Sequence, residues 1–457
     1  MEKVALFGNK HFYKQALAIA LPVMLQQLII SLVTLVDNFM VSALGNSMMA
    51  AVNVSNQVNF VFFVFLNVIC SAGGIYLAQY KGANDEKGMR QAFRFKLIIT
   101  SIVAIVYFLI LQFMPDVLIR LMTNGNSAQY ELVYHASNYM KMLSYSVLFM
   151  PISFSITSSF REIGKPKVSL IISVIATLIN TFLNWVLIYG NLGAPRMEVQ
   201  GAAVATVIAR ICEAVMFLFY ARFVKAEFFV GLRRLFKIKI TMFVEIIQKS
   251  ALIFLGEIMW AASEMFMTAL YNSRGGAETV AGMAAGFTIA NIFYLVFAGI
   301  HTTTAVLIGN KLGAGELIEA QKRARWILSG STIVGLMLSI LMLSSTFIIP
   351  LIYTNLTFEA HSIAKELIII IAFYMPLWTL LNAQFGVSRA GGDTVFAVMV
   401  DVPVTLFAFA PAVAVLTYFT GVSAPLIFGL SKLTDFIKLT IAHYMLKKKR
   451  WVKKLTD

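Results

Sequence analysis

A few ionisable side chains stand where the chain is otherwise apolar, and any chemistry must start from them. Asp37 lies in Val33-Thr34-Leu35-Val36-Asp37-Asn38-Phe39-Met40. A charge at the centre of a bilayer costs ~2.5–3.5 kcal/mol by insertion scales, so each one needs a reason. For Asp37 the reason is either solvation or pairing near the outer end of a span, or service as a proton or cation site facing a water-filled cavity. Pro22 precedes it in the same apolar run. Proline removes a backbone hydrogen bond, and the resulting bend point can tie the state of Asp37 to helix shape. Asn180 and Asn184 are one helical turn apart and share a face. Their carboxamide oxygens can ligate a cation or accept a hydrogen bond from a protonated carboxyl. Thr206, Arg210 and Glu213 form one helical stripe, along which Arg210 and Glu213 are also spaced to pair with each other. Glu257 and Glu264 share a face, and neither has a basic residue within one turn of its own helix. Carboxyls without a cation partner in a low dielectric suit proton uptake and release near neutral pH. Asp401, Lys432, Asp435 and Lys438 are expected to form an interior ion-pair group, the last three at steps of three residues.

The spans that must position these residues are long. Hydrophobic residues make up 59% of the 457-residue chain and charged residues 13%, about half the charged share of soluble domains. A helix needs ~20 apolar residues to cross a bilayer. Twelve such runs are expected, over 15–42, 52–79, 97–118, 139–160, 167–190, 201–224, 246–271, 280–308, 327–350, 366–387, 395–417 and 423–446. Continuous apolar runs exclude an outer-membrane barrel, whose strands alternate over ~10 residues. The fold class is an all-α polytopic membrane protein.

The net charge of +15 would suggest nucleic acid were it not distributed by loop. The N-terminus, alternate loops and the tail hold 29 of the 37 Lys and Arg, whereas the other loops hold Arg120, Arg196, Arg274 and Lys365. By the positive-inside rule both termini are cytoplasmic, and no nucleic-acid partner is implied. An anionic inner leaflet would attract the same charge, so membrane lipid is an expected partner. Gly231-Leu232-Arg233-Arg234-Leu235-Phe236-Lys237 has a basic amphipathic pattern suited to a membrane surface.

The chain lacks a Walker motif, G-x-S-x-G, H-E-x-x-H and a dinucleotide fingerprint, and its five histidines are scattered. Cys70 and Cys212 both lie in apolar spans, so neither a disulfide framework nor a thiol metal cluster is indicated. The chain is expected not to be an enzyme and to need no cofactor beyond a coupling ion.

The sequence also repeats itself. Gln79-Tyr80-Lys81-Gly82-Ala83-Asn84-Asp85 returns as Asn310-Lys311-Leu312-Gly313-Ala314-Gly315-Glu316, and Arg94-Phe95 as Arg325-Trp326, both at an offset of 231 (313 − 82). Arg161-Glu162-Ile163-Gly164 returns as Arg389-Ala390-Gly391-Gly392 at an offset of 228 (392 − 164). Two similar halves in an apolar chain mark secondary transporters. The expected division is an N-lobe over 1–224 with spans 1–6, a basic linker over 225–249, and a C-lobe over 250–457 with spans 7–12. A monomer is expected, because the lobes supply an internal dimer-like arrangement.

Pro22 together with Val36-Asp37-Asn38-Phe39-Met40-Val41-Ser42-Ala43-Leu44-Gly45 resembles the multidrug and toxic compound extrusion (MATE) family. So do Phe160-Arg161-Glu162-Ile163-Gly164-Lys165-Pro166 leading into Asn180, and Gly201-Ala202-Ala203-Val204-Ala205-Thr206. The resemblance implies two pseudo-symmetric six-helix lobes around a central cavity. It implies export of amphipathic, often cationic drugs or toxins across the plasma membrane in exchange for H⁺ or Na⁺. Asp37, Asn180, Asn184 and Thr206 match the family's N-lobe cation site, with Asn184 standing where many members carry Asp, and Glu257 matches the acid of span 7. The acid that some members carry in span 10 is missing, because 367–387 contains no Asp or Glu. Tyr139, Glu264 and Gln26 are expected to line the substrate cavity. The rival reading is a lipid-linked oligosaccharide flippase of the same superfamily. That reading needs a basic cavity for diphosphate, and the central parts of spans 1, 2, 7 and 8 contain no Arg or Lys.

Overall fold

A computed structural model of the protein describes residues 5–122, 130–354 and 356–456. These contain helices and no strand. The first half runs α1 (Lys10–Ser42), α2 (Asn46–Gly82), α3 (Glu86–Phe113), α4 (Pro115–Met122), α5 (Tyr130–Val147), α6 (Met150–Glu162), α7 (Pro166–Tyr189) and α8 (Glu198–Phe223). The second half runs α9 (Ile240–Asn272), α10 (Ala277–Gly313), α11 (Leu317–Ser345), α12 (Ile349–Ile352), α13 (Phe358–Ala390), α14 (Val395–Val404), α15 (Ala410–Phe419), α16 (Ala424–Ser431) and α17 (Thr434–Lys447).

Local chemistry sets the ends. Asp85 caps α3, its side chain accepting from the N–H groups of Lys87 and Gly88, which have no partner inside the helix. α6 and α7 begin with proline in the first turn, where no N–H is needed. α7 stops at Gly190, whose φ of 79° is a left-handed value that glycine adopts without strain.

Nine described helices are each long and apolar enough to cross a membrane, and the pair Leu132–Val147 and Met150–Glu162, bent by 49°, supplies a tenth. The remaining two expected spans correspond to α9, which carries Glu257 and Glu264, and to α16 with α17, interrupted at Lys432 and Leu433. All twelve runs read from the sequence are therefore helical. Span 11 is also irregular: α14 and α15 are joined through a π-helical turn, Thr405–Phe409.

The repeat is visible in the backbone. α1 and α9 each have 33 residues, and α2 and α10 each have 37. The turn after α2 places Asn84 at φ 53°, and the turn after α10 places Gly315 at φ 78°, an offset of 231 (315 − 84). Gly164 and Gly392 are left-handed too, at the second offset of 228 (392 − 164).

The chain packs as two units, one of residues 25–81 and 85–250, the other of 1–24, 82–84 and 251–457. These boundaries differ from the division at 224 and 250 drawn from the repeat. In the second unit, residues 12–16 are tied to α10 and α11. Phe12 lies edge-on to Trp326 at 5.0 Å, Tyr13 donates its hydroxyl to the Trp326 carbonyl at 3.2 Å, and Thr303 donates to the Ala16 carbonyl at 3.3 Å. In the first unit, the segment 225–249 is packed rather than loose. Phe228 is fully buried between Phe93 and Phe160, and Arg94 donates to the Lys237 carbonyl at 2.8 Å. An apolar pattern locates spans; it does not say which flanking segment docks on which.

Within the second unit α10 and α13 approach closely. A Cβ on Gly282 would lie 2.6 Å from the Ala360 carbonyl. Small residues allow such contact where no hydrophobic force drives helices together in lipid. Within the first unit aromatic packing includes Phe62 stacked on Tyr107 at 4.5 Å.

Candidate functional site

α1, α7 and α8 bring Asp37, Asn180, Asn184 and Thr206 together in the first unit. Asn184, 2% exposed, donates its Nδ2 to Asp37 Oδ1 at 2.8 Å. Asn180, oriented to use both ends of its amide, donates to Asp37 Oδ2 at 3.2 Å and accepts from the Thr206 backbone N–H at 3.3 Å. Thr206 donates its own hydroxyl to the Ala202 carbonyl at 2.9 Å. Both carboxylate oxygens thus face amides. Asn184 Oδ1 is buried without a hydrogen-bond partner, leaving one unspent acceptor beside the carboxylate. Tyr139 is 6% exposed, packs in a cluster with Val41 and Leu143, and lies within electrostatic reach of Asp37. Pro22 lies inside α1, which continues through it to Ser42.

A second polar group occupies the same three helices with α6. Arg161 donates to Gln26 Oε1 at 2.6 Å, Gln26 Nε2 donates to Ser173 at 2.8 Å, and Ser173 donates to Glu213 Oε1 at 3.1 Å. Arg210 pairs with Glu213 Oε2 at 2.8 Å. The stripe of Thr206, Arg210 and Glu213 therefore divides: Thr206 serves the Asp37 group, and the other two form the pair their spacing allows. Gln26, expected at a cavity wall, is 3% exposed and has both ends of its amide occupied.

The acids singled out from the sequence in the second unit all have cations. Glu257 pairs with Arg389 at 2.9 Å and Glu264 with Lys432 at 2.6 Å. This corrects the expectation that they stand without cation partners. The search along one helix was sound, but the partners come from α13 and from the break between α16 and α17. Lys438 lies 3.0 Å from Asp401 and 3.8 Å from Asp435, so the expected ion-pair group forms, with Lys432 turned instead toward Glu264. Asp435 also accepts from the Trp378 indole N–H at 2.8 Å.

Sequence reasoning missed three features. Lys96, read as a loop base, is fully buried and pairs with Glu162 at 2.6 Å while reaching Ser158 at 3.0 Å. The Gly73-Gly74 step in α2 was the available signal, since side chains there would collide with Lys96 and Glu162. His301 lies 3.0 Å from Asn382. The π-turn before Ala410 puts the Phe409 ring 5.0 Å from the Lys432 ammonium. Among the described residues no three His, Cys, Asp or Glu side chains gather as a metal site.

Of the carboxylates singled out from the sequence, Asp37 is thus the one without a Lys or Arg within ion-pair distance among the described residues. It combines a carboxyl that has no Lys or Arg partner among the described residues with amide donors and a spare amide oxygen, an arrangement that can exchange a proton or a monovalent cation.

The MatE family model matches residues 22–186 and 253–419, once in each half. The chain is 27% identical over 319 residues to a probable multidrug resistance protein NorM of Thermotoga maritima, covering 69% of this chain and 67% of the relative. It is 25% identical over 387 residues to a probable multidrug resistance protein YoeA of Bacillus subtilis, covering 82% and 81%. Among solved structures, a variant of the Vibrio cholerae MATE transporter VcmN shares the fold with a TM-score of 0.83 at 16% identity, over 97% of this chain and 98% of that one. A MOP superfamily transporter from Pyrococcus furiosus does so with a TM-score of 0.81 at 17% identity, over 97% of each.

Proposed function

Because the chain belongs to the MatE family and is a multi-pass multidrug efflux transporter rather than an enzyme, we propose that it exports amphipathic, often cationic compounds by antiport with H⁺, through alternating access. The observation that carries this reading is the setting of Asp37: a carboxylate inside a span, held only by amides, while Glu257, Glu264 and Asp401 are neutralised by the chain's own cations. A carboxylate already paired with Lys or Arg gains little from a coupling ion. Asp37 has its whole charge to trade.

In the outward state Asp37 takes up a proton. The charge that held a cationic substrate is lost, and the substrate leaves. A neutral carboxyl costs less to carry through hydrocarbon, so the return to the inward state becomes accessible. Release of the proton inside restores the negative charge and the affinity for the next substrate. Exchange of one proton for one monovalent cation moves no net charge, so ΔpH does the work: each pH unit supplies ~1.4 kcal/mol, enough for a ~10-fold substrate gradient per proton.

The proton is favoured over Na⁺ by the donor set. A sodium ion wants several oxygens turned toward it, yet both amides spend an N–H on Asp37, and Asn184 contributes no second negative charge. Proteoliposomes with separately imposed pH and Na⁺ gradients test this. Substrate should move against its own gradient when ΔpH is imposed and stay level when only Na⁺ is. Uphill transport driven by Na⁺ at zero ΔpH would replace H⁺ by Na⁺ in the cycle.

A further inference from the structure

The end of α8 carries a surface feature that transport does not use. Phe219 and Phe223 lie one turn apart, 72% and 76% exposed, with their rings stacked at 6.2 Å and 13°. With Arg222 and Lys225 they line an open surface groove. Both cations are exposed, and neither has a carboxylate or carbonyl partner among the described residues. Three of the helix-end carbonyls, the obvious local acceptors, already accept backbone N–H groups. The N–H groups of Val224, Lys225 and Ala226 bond to the carbonyls of Tyr220, Arg222 and Ala221. Glu227, close by in the chain, is occupied by Lys81 at 2.7 Å.

The backbone that follows is held in place. Phe228 is fully buried, edge-on to Phe160 at 5.2 Å and against Phe93 at 5.2 Å, and Val230 is buried as well. The chain therefore leaves α8 in one direction and presents Lys225 beside Arg222 without further ordering. Two exposed phenyl rings on a membrane-spanning helix face acyl chains. Two unsatisfied cations at the end of that helix sit at headgroup depth. An occupant must match both, with an apolar tail along the rings and an anionic group at the cations.

The geometry points to a binding site for one anionic phospholipid at Phe219, Arg222, Phe223 and Lys225, its phosphate held by the two cations and an acyl chain lying on the ring pair. The site belongs to the first unit alone and is independent of the coupling ion. It gives a structural anchor to the basic segment that follows α8.

Native mass spectrometry of the full-length protein tests it directly, with phosphatidylglycerol and phosphatidylcholine as the added lipids. One phosphatidylglycerol should be retained about 30-fold more tightly than phosphatidylcholine, the preference expected for two basic side chains near a headgroup. Arg222→Ala with Lys225→Ala should remove the preference, and Phe219→Ala with Phe223→Ala should weaken retention of both lipids. Lys448→Ala with Lys449→Ala, which removes the same charge from the tail, should leave it intact. Unchanged phosphatidylglycerol retention in the first pair would overturn the assignment. So would an equal loss in the tail pair, because that would reveal diffuse attraction to the basic surface. All these side chains are exposed, so each variant keeps the fold.

Discussion

At the scale of single residues, charge compensation is what separates the acids. Glu257 and Asp37 looked alike in the sequence, each an acid in an apolar run. The structure separates them by neighbour: Arg389 for one, two asparagines for the other. Asn184 is the residue where this has the sharpest consequence. Its Nδ2 lies 2.8 Å from Asp37 Oδ1, so Asn184→Asp sets two carboxylates side by side. Like charges that close cannot both ionise freely unless a cation joins them. The variant should therefore acquire Na⁺-stimulated transport in proteoliposomes that the parent lacks. Na⁺-independent transport by Asn184→Asp would show that this position does not select the ion. Helical spacing put Asn180 and Asn184 on one face in advance, but it was the family resemblance that joined them to Asp37, 147 residues from Asn184. The partners of Glu257 and Glu264 were not legible. Arg389 is 132 residues away and Lys432 is 168 residues from its acid, and spacing rules reach only one or two turns.

At the scale of elements, the spans were readable and their interruptions were not. Apolar length found all twelve, but it does not register a 49° bend at the end of α5, a π-turn in span 11 or a break at Lys432. Each of these redirects backbone without changing hydropathy. The glycines of α2 show how an element accommodates a charge. Gly74 leaves room for Glu162, whose Oε1 would collide with a Cβ at that position, and Glu162 cannot withdraw without abandoning Lys96. Breaking a buried pair costs ~3–5 kcal/mol, because the remaining charge is left without compensation. Gly74→Ala should accordingly lower the thermal unfolding temperature strongly. Gly256→Ala, whose Cβ meets only Ala397 at 4.0 Å, should be neutral or gain ~0.5–1 kcal/mol from the helix propensity of alanine. Equal unfolding temperatures for the two variants would mean that the Lys96–Glu162 pair does not constrain α2.

At the scale of the whole molecule, the repeat was the most reliable guide. Its offsets of 231 (315 − 84) and 228 (392 − 164) return as matched left-handed turns, although few of the residues involved are identical. The repeat did not reveal that residues 5–24 would pack with the second unit, nor that the segment read as a linker, 225–249, would pack with the first. Docking of flanking segments depends on single aromatic contacts such as Phe12 on Trp326, which leave no periodic trace. The distribution of Lys and Arg makes a separate prediction, that both termini are cytoplasmic. With Cys70 and Cys212 replaced by Ser, Lys449→Cys should react with an impermeant maleimide in inside-out vesicles and stay protected in intact cells. Labelling of intact cells would invert the topology.

All of this converges on Asp37 as the group whose charge is exchanged for the work of export. The most direct test is drug-dependent proton movement in proteoliposomes containing Asp37→Asn, with folding checked by thermal unfolding of the same preparation. The amide retains the hydrogen-bonding shape and removes the titratable charge. The protein should remain folded, and ΔpH-driven uphill export, with its return flux of protons, should fall to the level of empty liposomes. Full coupled transport by Asp37→Asn would contradict the account.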